Sequence, residues 1–309
     1  MTNNISQGYC YRAFGLTIGS SIKIPELVPA EGVPDVTVSL GKVPDFLGTP
    51  TRRGARYQTK PGQFLYRIDN IAKYLVSEGS EVIIETYPGV EDNSVRTFLL
   101  GSVFAALLHQ RDMLPLHGSS IRVGDKCVIF SGLSGSGKST TARAFIKRGY
   151  QLNADDVSVI AINREGIPIV YPEYPRLKLW KDVLKREGED AESYTRVRRV
   201  LEKFSVPARE HFNHRALPLG KIYILSPYNK SNIEISPVTG MEKFNKLKRL
   251  TYRYKFIKGL ETEVFHFKTA AYVCNFAPFS LVERPLKPFL LWELADLLEK
   301  DFGGGNGGK

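Results

Sequence analysis

Cysteine is scarce in this chain: three in 309 residues, at Cys10, Cys127 and Cys274. An odd number so widely spaced excludes a disulfide framework, argues against a zinc site and fits a reducing compartment. Long apolar runs are missing as well. The most apolar stretch, from Phe98 to Leu108, is about half of the roughly 20 residues that a bilayer-spanning helix needs, so no membrane association is expected. The opening MTNNISQGYC has neither a basic n-region nor an apolar core, so no secretory signal is expected and the cytoplasm is the expected location. Acidic residues are in deficit. Asp and Glu total 32 against 43 Lys and Arg, a net charge of +11, which calls for an acidic partner: phosphates, an acidic peptide, nucleic acid or an anionic surface. Dominant disorder is excluded, because 42% of the residues are hydrophobic and can offset the entropy of ordering.

Residues 9 to 90 read as short strands. Tyr9–Ile18, Val36–Leu40, Gln63–Ile68, Tyr74–Ser77 and Glu81–Tyr87 are rich in Val, Ile, Tyr and Thr, with turn-prone pieces between them. A helix follows, capped near Asp92-Asn93-Ser94 and closing near His109-Gln110-Arg111. Its apolar residues Val95, Phe98, Leu99, Val103, Ala106 and Leu107 recur at helical spacing. Then the pattern changes. Ile121–Val123 and Lys126–Phe130 read as strands joined at Gly124-Asp125. A glycine-rich loop and a helix over Lys138–Lys147 come next, closed by Gly149, and Leu152–Ile162 is strand-like again. Further on, Trp180–Arg186, Phe244–Leu250 and Pro288–Glu299 read as helices, and Lys221–Leu225 and Asn232–Ile235 as strands.

The strongest chemical signal is Gly132-Leu133-Ser134-Gly135-Ser136-Gly137-Lys138-Ser139, a full match to G-x-x-x-x-G-K-[ST]. A chance match in a chain of this length is on the order of one in a hundred, and the strand before and helix after it are the context the motif needs. Glycines let the backbone wrap phosphates and aim N–H groups at them, and the helix adds its positive N-terminal end. Gly132, Ser134, Gly135, Ser136, Gly137, Lys138, Ser139 and Thr140 are therefore the candidate nucleotide site. Lys138 is expected on the β- and γ-phosphates and Ser139 on Mg²⁺. The adjacent pair Asp155-Asp156 follows closely. One carboxylate can hold the metal while the other accepts the proton of an attacking hydroxyl. His117, before the strand that feeds the loop, can orient an aspartate or carry a charge there. Arg196, Arg198, Arg199 and Lys203 form a basic stretch that can close over a triphosphate or meet an acidic substrate.

The run Leu116-His117-Gly118, the glycine-rich loop, Ile146-Lys147-Arg148-Gly149-Tyr150 and Ala154-Asp155-Asp156-Val157 resembles the catalytic domain of the HPr kinase/phosphorylase family. The resemblance is specific over about 45 residues. It implies the phosphoenolpyruvate-carboxykinase-like P-loop fold, Asp155 as general base toward a serine hydroxyl, His117 as its partner, and Ser139 with Asp156 at the metal. It also implies Glu173 as a metal-binding glutamate and Arg176 as a substrate-side arginine. In place of that family's glycine-containing signature the chain has Tyr171-Pro172-Glu173-Tyr174-Pro175-Arg176-Leu177-Lys178-Leu179-Trp180, a departure that bears on reverse phosphorylase activity. More broadly the chain resembles the shorter HPr-kinase-like proteins of lasso-peptide pathways. That resemblance rests on Tyr11-Arg12-Ala13-Phe14-Gly15-Leu16, Pro25-Glu26-Leu27, Pro175-Arg176-Leu177-Lys178-Leu179-Trp180, Ala216-Leu217-Pro218-Leu219 and Glu283-Arg284-Pro285. It implies phosphorylation of a precursor peptide, for some members at its C-terminal serine.

The expectations are then an α/β chain with a β-rich region over 1–92, a P-loop kinase domain over 93–302 and a flexible glycine-rich tail over 303–309. ATP and Mg²⁺ are the expected cofactors. The expected partner is a serine-bearing peptide or protein, with Arg176, Arg198 and Arg199 toward it. Nucleic acid is disfavoured and a homo-oligomer is allowed. The competing readings are a kinase for a small metabolite or a nucleic-acid end, and a nucleotide-sensing regulator without catalysis.

Overall fold

The computed structural model describes residues 8–198, 201–229, 231–287 and 290–303, the side chain of Arg198 excepted. The chain is a mixed α/β protein that divides into two compact units, 1–115 with 252–269 and 116–251 with 270–309. The boundary expected at 92/93 lies inside the first unit. Cys10, Cys127 and Cys274 are all unpaired. No described helix is long and apolar enough to cross a membrane.

Among the described residues the first unit holds a nine-stranded sheet. Its order is Val28–Pro29, Tyr9–Ala13, Leu16–Ser20, Val36–Leu40, Glu81–Thr86, Ala72–Ser77, Gln63–Ile68, Tyr57–Lys60 and Arg52–Arg53. The stretch read as one strand over Tyr9–Ile18 is a hairpin. Phe14 and Gly15 both take positive φ, at 57° and 77°, in the two-residue turn that suits the twist of paired strands. The apolar segment after Glu91 is helical from Asp92 to Gln110, with a wider turn over Leu99–Val103, and buries Val95, Leu99, Val103, Ala106 and Leu107.

The second unit carries the glycine-rich loop. Strands Leu114–Val123 and Lys126–Ser131 form an antiparallel hairpin. The long strand Leu217–Tyr228 then runs parallel to Lys126–Ser131 on one side and to Phe279–Pro285 on the other. Helix Lys138–Lys147 packs back on this sheet through Phe145, whose ring lies 5.4 Å from Phe130 and 5.4 Å from Phe302 of helix Leu291–Gly303. Such a core holds strand, loop and helix in one fixed relation. The strand read over Leu152–Ile162 is broken in two, Gln151–Ala154 and Val157–Ile162, and the break is the Asp155-Asp156 pair. Further elements were not assigned in the sequence reading: strands Pro168–Tyr171 and Arg176–Trp180 and helix Glu263–Phe276. Arg176–Trp180 joins Leu201–Pro207 and Thr195–Arg198 in a separate three-stranded sheet. The C-terminal helix begins at Leu291; Pro288, Phe289 and residues 304–309 of the expected tail lie outside the described residues.

Candidate functional site

The loop over residues 132–137 is shaped by glycine where no other residue fits. Gly132 has φ +150°, and a Cβ there would meet the Leu225 carbonyl oxygen at 2.5 Å and Ser136 Oγ at 2.6 Å. Gly135 and Gly137 take φ of +82° and +98°, a region that costs a side chain strain. Gly137 caps the ten-residue helix Lys138–Lys147, whose first N–H groups have no partner within the helix and face outward as an anion site. Ser136 Oγ is buried without a hydrogen-bond partner among the described residues. Lys138 Nζ folds back onto the carbonyls of Gly132 and Leu133 at 3.0 and 2.9 Å.

A cavity of about 520 Å³ opens beside this loop. Ser134, Gly135, Gly137, Lys138, Ser139 and Thr140 line it, with His117, Asp156, Lys178, Leu179, Trp180, Asp182, Val183, Arg186, Lys203, Arg284, Leu286 and Lys287. Six of these residues are Lys or Arg and two are acidic, and Asp182 is already paired with Arg186. Such a wall favours a polyanion.

The two aspartates part company here. Asp155 is fully buried and does not line the cavity. Its Oδ1 accepts from Ser119 Oγ at 2.5 Å and its Oδ2 from the Lys178 backbone N–H at 2.6 Å. Asp156 faces the cavity in a left-handed conformation, φ +88°, which costs a non-glycine residue about 1–3 kcal/mol. Its carbonyl accepts from the Gly118 N–H at 3.2 Å and from His117 Nδ1 at 3.0 Å, so Nδ1 is the protonated ring nitrogen. Its Oδ2 meets Lys178 Nζ at 2.7 Å. The proton acceptor expected at Asp155 is thus sequestered, and the carboxylate presented to the cavity is its neighbour.

Electrostatics follow from this packing. Burial works to raise the Asp156 carboxyl, but the charges of Lys178 and Lys203 outweigh it and hold the group well below the usual carboxylate range. Burial, and Lys203 beside it, push Lys138 down to about 8 against the pull of Asp156. Burial first and the Lys138 charge second keep His117 below its ordinary 6.5, so the imidazole is neutral near pH 7.

The other expected residues are spread out. Glu173, expected at the metal, is buried away from the cavity. Its Oε2 accepts from the Asp155 N–H at 2.8 Å, its Oε1 has no partner among the described residues, and burial raises its carboxyl well above the usual range. Arg176, expected toward substrate, donates to Ser205 Oγ at 3.2 Å and does not line the cavity. Arg196 pairs with Glu192 and lies over the Phe204 ring. The Arg198 side chain and Arg199 lie outside the described residues. Gly132 and Ser136 shape the loop from beneath and are not part of the lining.

Two residues stood in the sequence reading only inside motifs quoted for the resemblance and were given no role there. Arg284 is 6% exposed and donates Nε and Nη2 to the Ser136 carbonyl, at 3.0 and 2.8 Å, and Nη1 to the Pro285 carbonyl at 2.9 Å. It clamps the loop from a strand 148 residues away in sequence, and no local pattern marks it. Lys178 does have a signal. In Arg176-Leu177-Lys178-Leu179-Trp180 the leucines alternate with polar residues, which places Lys178 on the face away from the buried side of a strand.

The cradle that excludes a Cβ, the unpartnered buried Ser136 hydroxyl and the cationic lining all fit the polyphosphate of a nucleotide. Ser139 and Asp156 are hard oxygen donors on the same cavity, the kind that hold Mg²⁺ together with phosphate oxygens. Among the described residues no three His, Cys, Asp or Glu side chains form a ready-made metal cluster.

No protein-family model and no curated protein matches the chain. Among solved structures it is similar to the Hpr(Ser) kinase/phosphatase from Coxiella burnetii, at 12% identity over 62% of this chain and 92% of that one, with a TM-score of 0.33. At that identity and TM-score the likeness does not establish a shared fold.

Proposed function

We propose that the chain is an ATP- and Mg²⁺-dependent phosphotransferase of the HPr-kinase-like type, built on a phosphoenolpyruvate-carboxykinase-like P-loop fold. The observation that carries the reading is a complete phosphate loop opening on the same cation-lined cavity as one presented carboxylate, Asp156. The backbone of 132–140 and Lys138 bind the phosphates; Ser139 would hold Mg²⁺ together with phosphate oxygens, which leaves Asp156 Oδ1 open while Oδ2 is on Lys178. When bound, the metal supplies charge neutralisation on the phosphate oxygens. His117 fixes the Asp156 turn through its Nδ1–H bond. The acceptor hydroxyl attacks the γ-phosphorus in line. The new oxygen–phosphorus bond forms as the bond to the β,γ-bridging oxygen breaks, its electron pair leaving on ADP. The hydroxyl proton passes to Asp156, not to Asp155, whose two oxygens are already engaged. Positioning and charge stabilisation supply most of the rate in such transfers.

A serine hydroxyl of a protein or ribosomal precursor peptide as the acceptor, including a C-terminal serine, rests on the resemblance of residues 116–157 and of the shorter-branch motifs. The test is transfer from γ-labelled ATP to peptides that end in serine, beside peptides that end in alanine. Asp156→Asn is expected to lose transfer and keep ADP binding. Turnover of that variant at the wild-type rate would refute the assignment, and ADP binding with no transfer to any acceptor would favour a nucleotide sensor.

A further inference from the structure

Lys178 sits in the middle of strand Arg176–Trp180, flanked by the fully buried Leu177 and Leu179. Its side chain is 19% exposed and lines the cavity that holds the phosphate loop. A lysine ammonium has three N–H donors. Among the described residues, one is used, on Asp156 Oδ2 at 2.7 Å, and no protein acceptor takes the other two. Its neighbours in the lining, Lys138 and Lys203, are also cations. A half-buried ion pair such as this is weak evidence for a stabilising role, because partial desolvation offsets the attraction. The fold nevertheless spends a second carboxylate, a buried one, on this residue: Asp155 grips the Lys178 backbone N–H at 2.6 Å and fixes where the strand passes. Cross-strand pairing sets Trp180 opposite Lys203 and Lys178 opposite Ser205, so Lys178, Trp180 and Lys203 present one face of the small sheet to the cavity.

We infer that Lys178 is a catalytic cation of this site, donating its two remaining N–H groups to the phosphoryl group in transit from a different wall of the cavity than Lys138. This rests on the phosphotransferase reading. In the transfer as balanced above, charge spreads over the equatorial oxygens of the moving group and onto the leaving oxygen. A fixed ammonium beside Asp156 meets that charge where the acceptor proton is also lost. Asp155 becomes a positioning residue, which accounts for its burial.

The test compares ground-state and transition-state ligands on the full chain. Binding of Mg·ADP alone, and of Mg·ADP with aluminium fluoride, is measured by calorimetry for wild type, Lys178→Met and Lys178→Gln. The glutamine amide can still donate to Asp156 and so protects the fold. The expected result is ADP affinity within about 3-fold of wild type, with affinity for the aluminium fluoride complex down about 100-fold, the loss typical of removing one transition-state donor. A merely structural lysine would shift both ligands alike. Equal fluoride-complex affinity in wild type and variant overturns the role of Lys178. Failure of wild type to bind ADP overturns the phosphotransferase reading instead. If neither single variant melts like wild type, Asp156→Asn is compared with the double variant D156N/K178M, which leaves no buried charge unpaired, and the same fold-changes decide.

Discussion

Arg284→Met isolates the clamp on the phosphate loop. Methionine keeps most of the apolar stem, so little cavity is created, and the guanidinium alone is lost. That guanidinium makes two hydrogen bonds to the Ser136 carbonyl and one to the Pro285 carbonyl, all 2.8–3.0 Å and all buried. Each charge-assisted bond is worth about 1.5–3 kcal/mol, and a buried carbonyl left without a donor costs about 1–3 kcal/mol. Part of this is offset because Arg284 no longer has to be desolvated, the burial that lowers its own pKa. A net cost of about 2 kcal/mol at the loop is the working figure. The loop must recover the clamped shape to hold phosphates, so this cost reappears in binding as a rise in ADP Kd of about 30-fold. Calorimetry with Mg·ADP reads the affinity and urea unfolding reads the stability. Arg284→Lys keeps the charge with a single point of contact and should recover less than half of the loss. If R284M unfolds at lower urea yet binds ADP with wild-type affinity, Arg284 supports the sheet and not the loop, and the reasoning fails.

Gly132→Ala places a methyl carbon 2.5 Å from the Leu225 carbonyl oxygen. ADP binding should fall by roughly two orders of magnitude, and normal binding in calorimetry would show that the cradle is not formed as described. Asp155→Leu removes the acceptor of both the Ser119 hydroxyl and the Lys178 N–H, leaving buried donors unmet. Urea unfolding should show a loss of about 2 kcal/mol, and no loss would mean that the Asp155 contacts are dispensable. His109 is buried with its Nε2–H on the Tyr252 carbonyl at 2.9 Å, and burial lowers its pKa to about 4. The unfolded chain binds the proton near pH 6.5 and the folded chain does not. Stability is therefore full above that pH and falls between about pH 6.5 and 4, by at most about 3 kcal/mol. In His109→Gln that share of the acid sensitivity should vanish from thermal melts, and an unchanged slope would refute it.

What the sequence shows well is what local chemistry decides. Strand Lys126–Ser131, the loop and helix Lys138–Lys147 lie where the motif puts them, since apolar run, glycines and capping signals are all close in sequence. Strands Val36–Leu40 and Gln63–Ile68 match for the same reason. The Tyr9–Ala13 hairpin was missed because its turn is Phe14-Gly15, not one of the usual Asn-Gly or Asp-Gly pairs. Arg284 was invisible as a clamp because its partner, Ser136, is reached only by the parallel pairing of strands distant in the chain. Glu173 and Arg176 were placed by resemblance. The structure sends the first to the buried Asp155 N–H and the second to Ser205.

The parting of Asp155 and Asp156 shows why the site could be located but not assigned from sequence. In an unbroken strand, adjacent residues face opposite sides, so one of two neighbouring carboxylates must point away from any cavity. Which one depends on register, and register is set by pairing: Ser120 lies opposite Ala154 before the irregularity, and Leu152 opposite Ile121 after it. The break at 155–156 then re-aims the chain through the positive φ of Asp156, held by the Gly118 N–H and His117 Nδ1 on its carbonyl. Gly118 is suited to that contact because a Cβ there would sit 2.9 Å from the Phe130 carbonyl oxygen. Histidine, glycine and the aspartate pair therefore act as one local device. Its product is a single carboxylate turned toward the phosphate loop and a second one buried to hold the strand that carries Lys178.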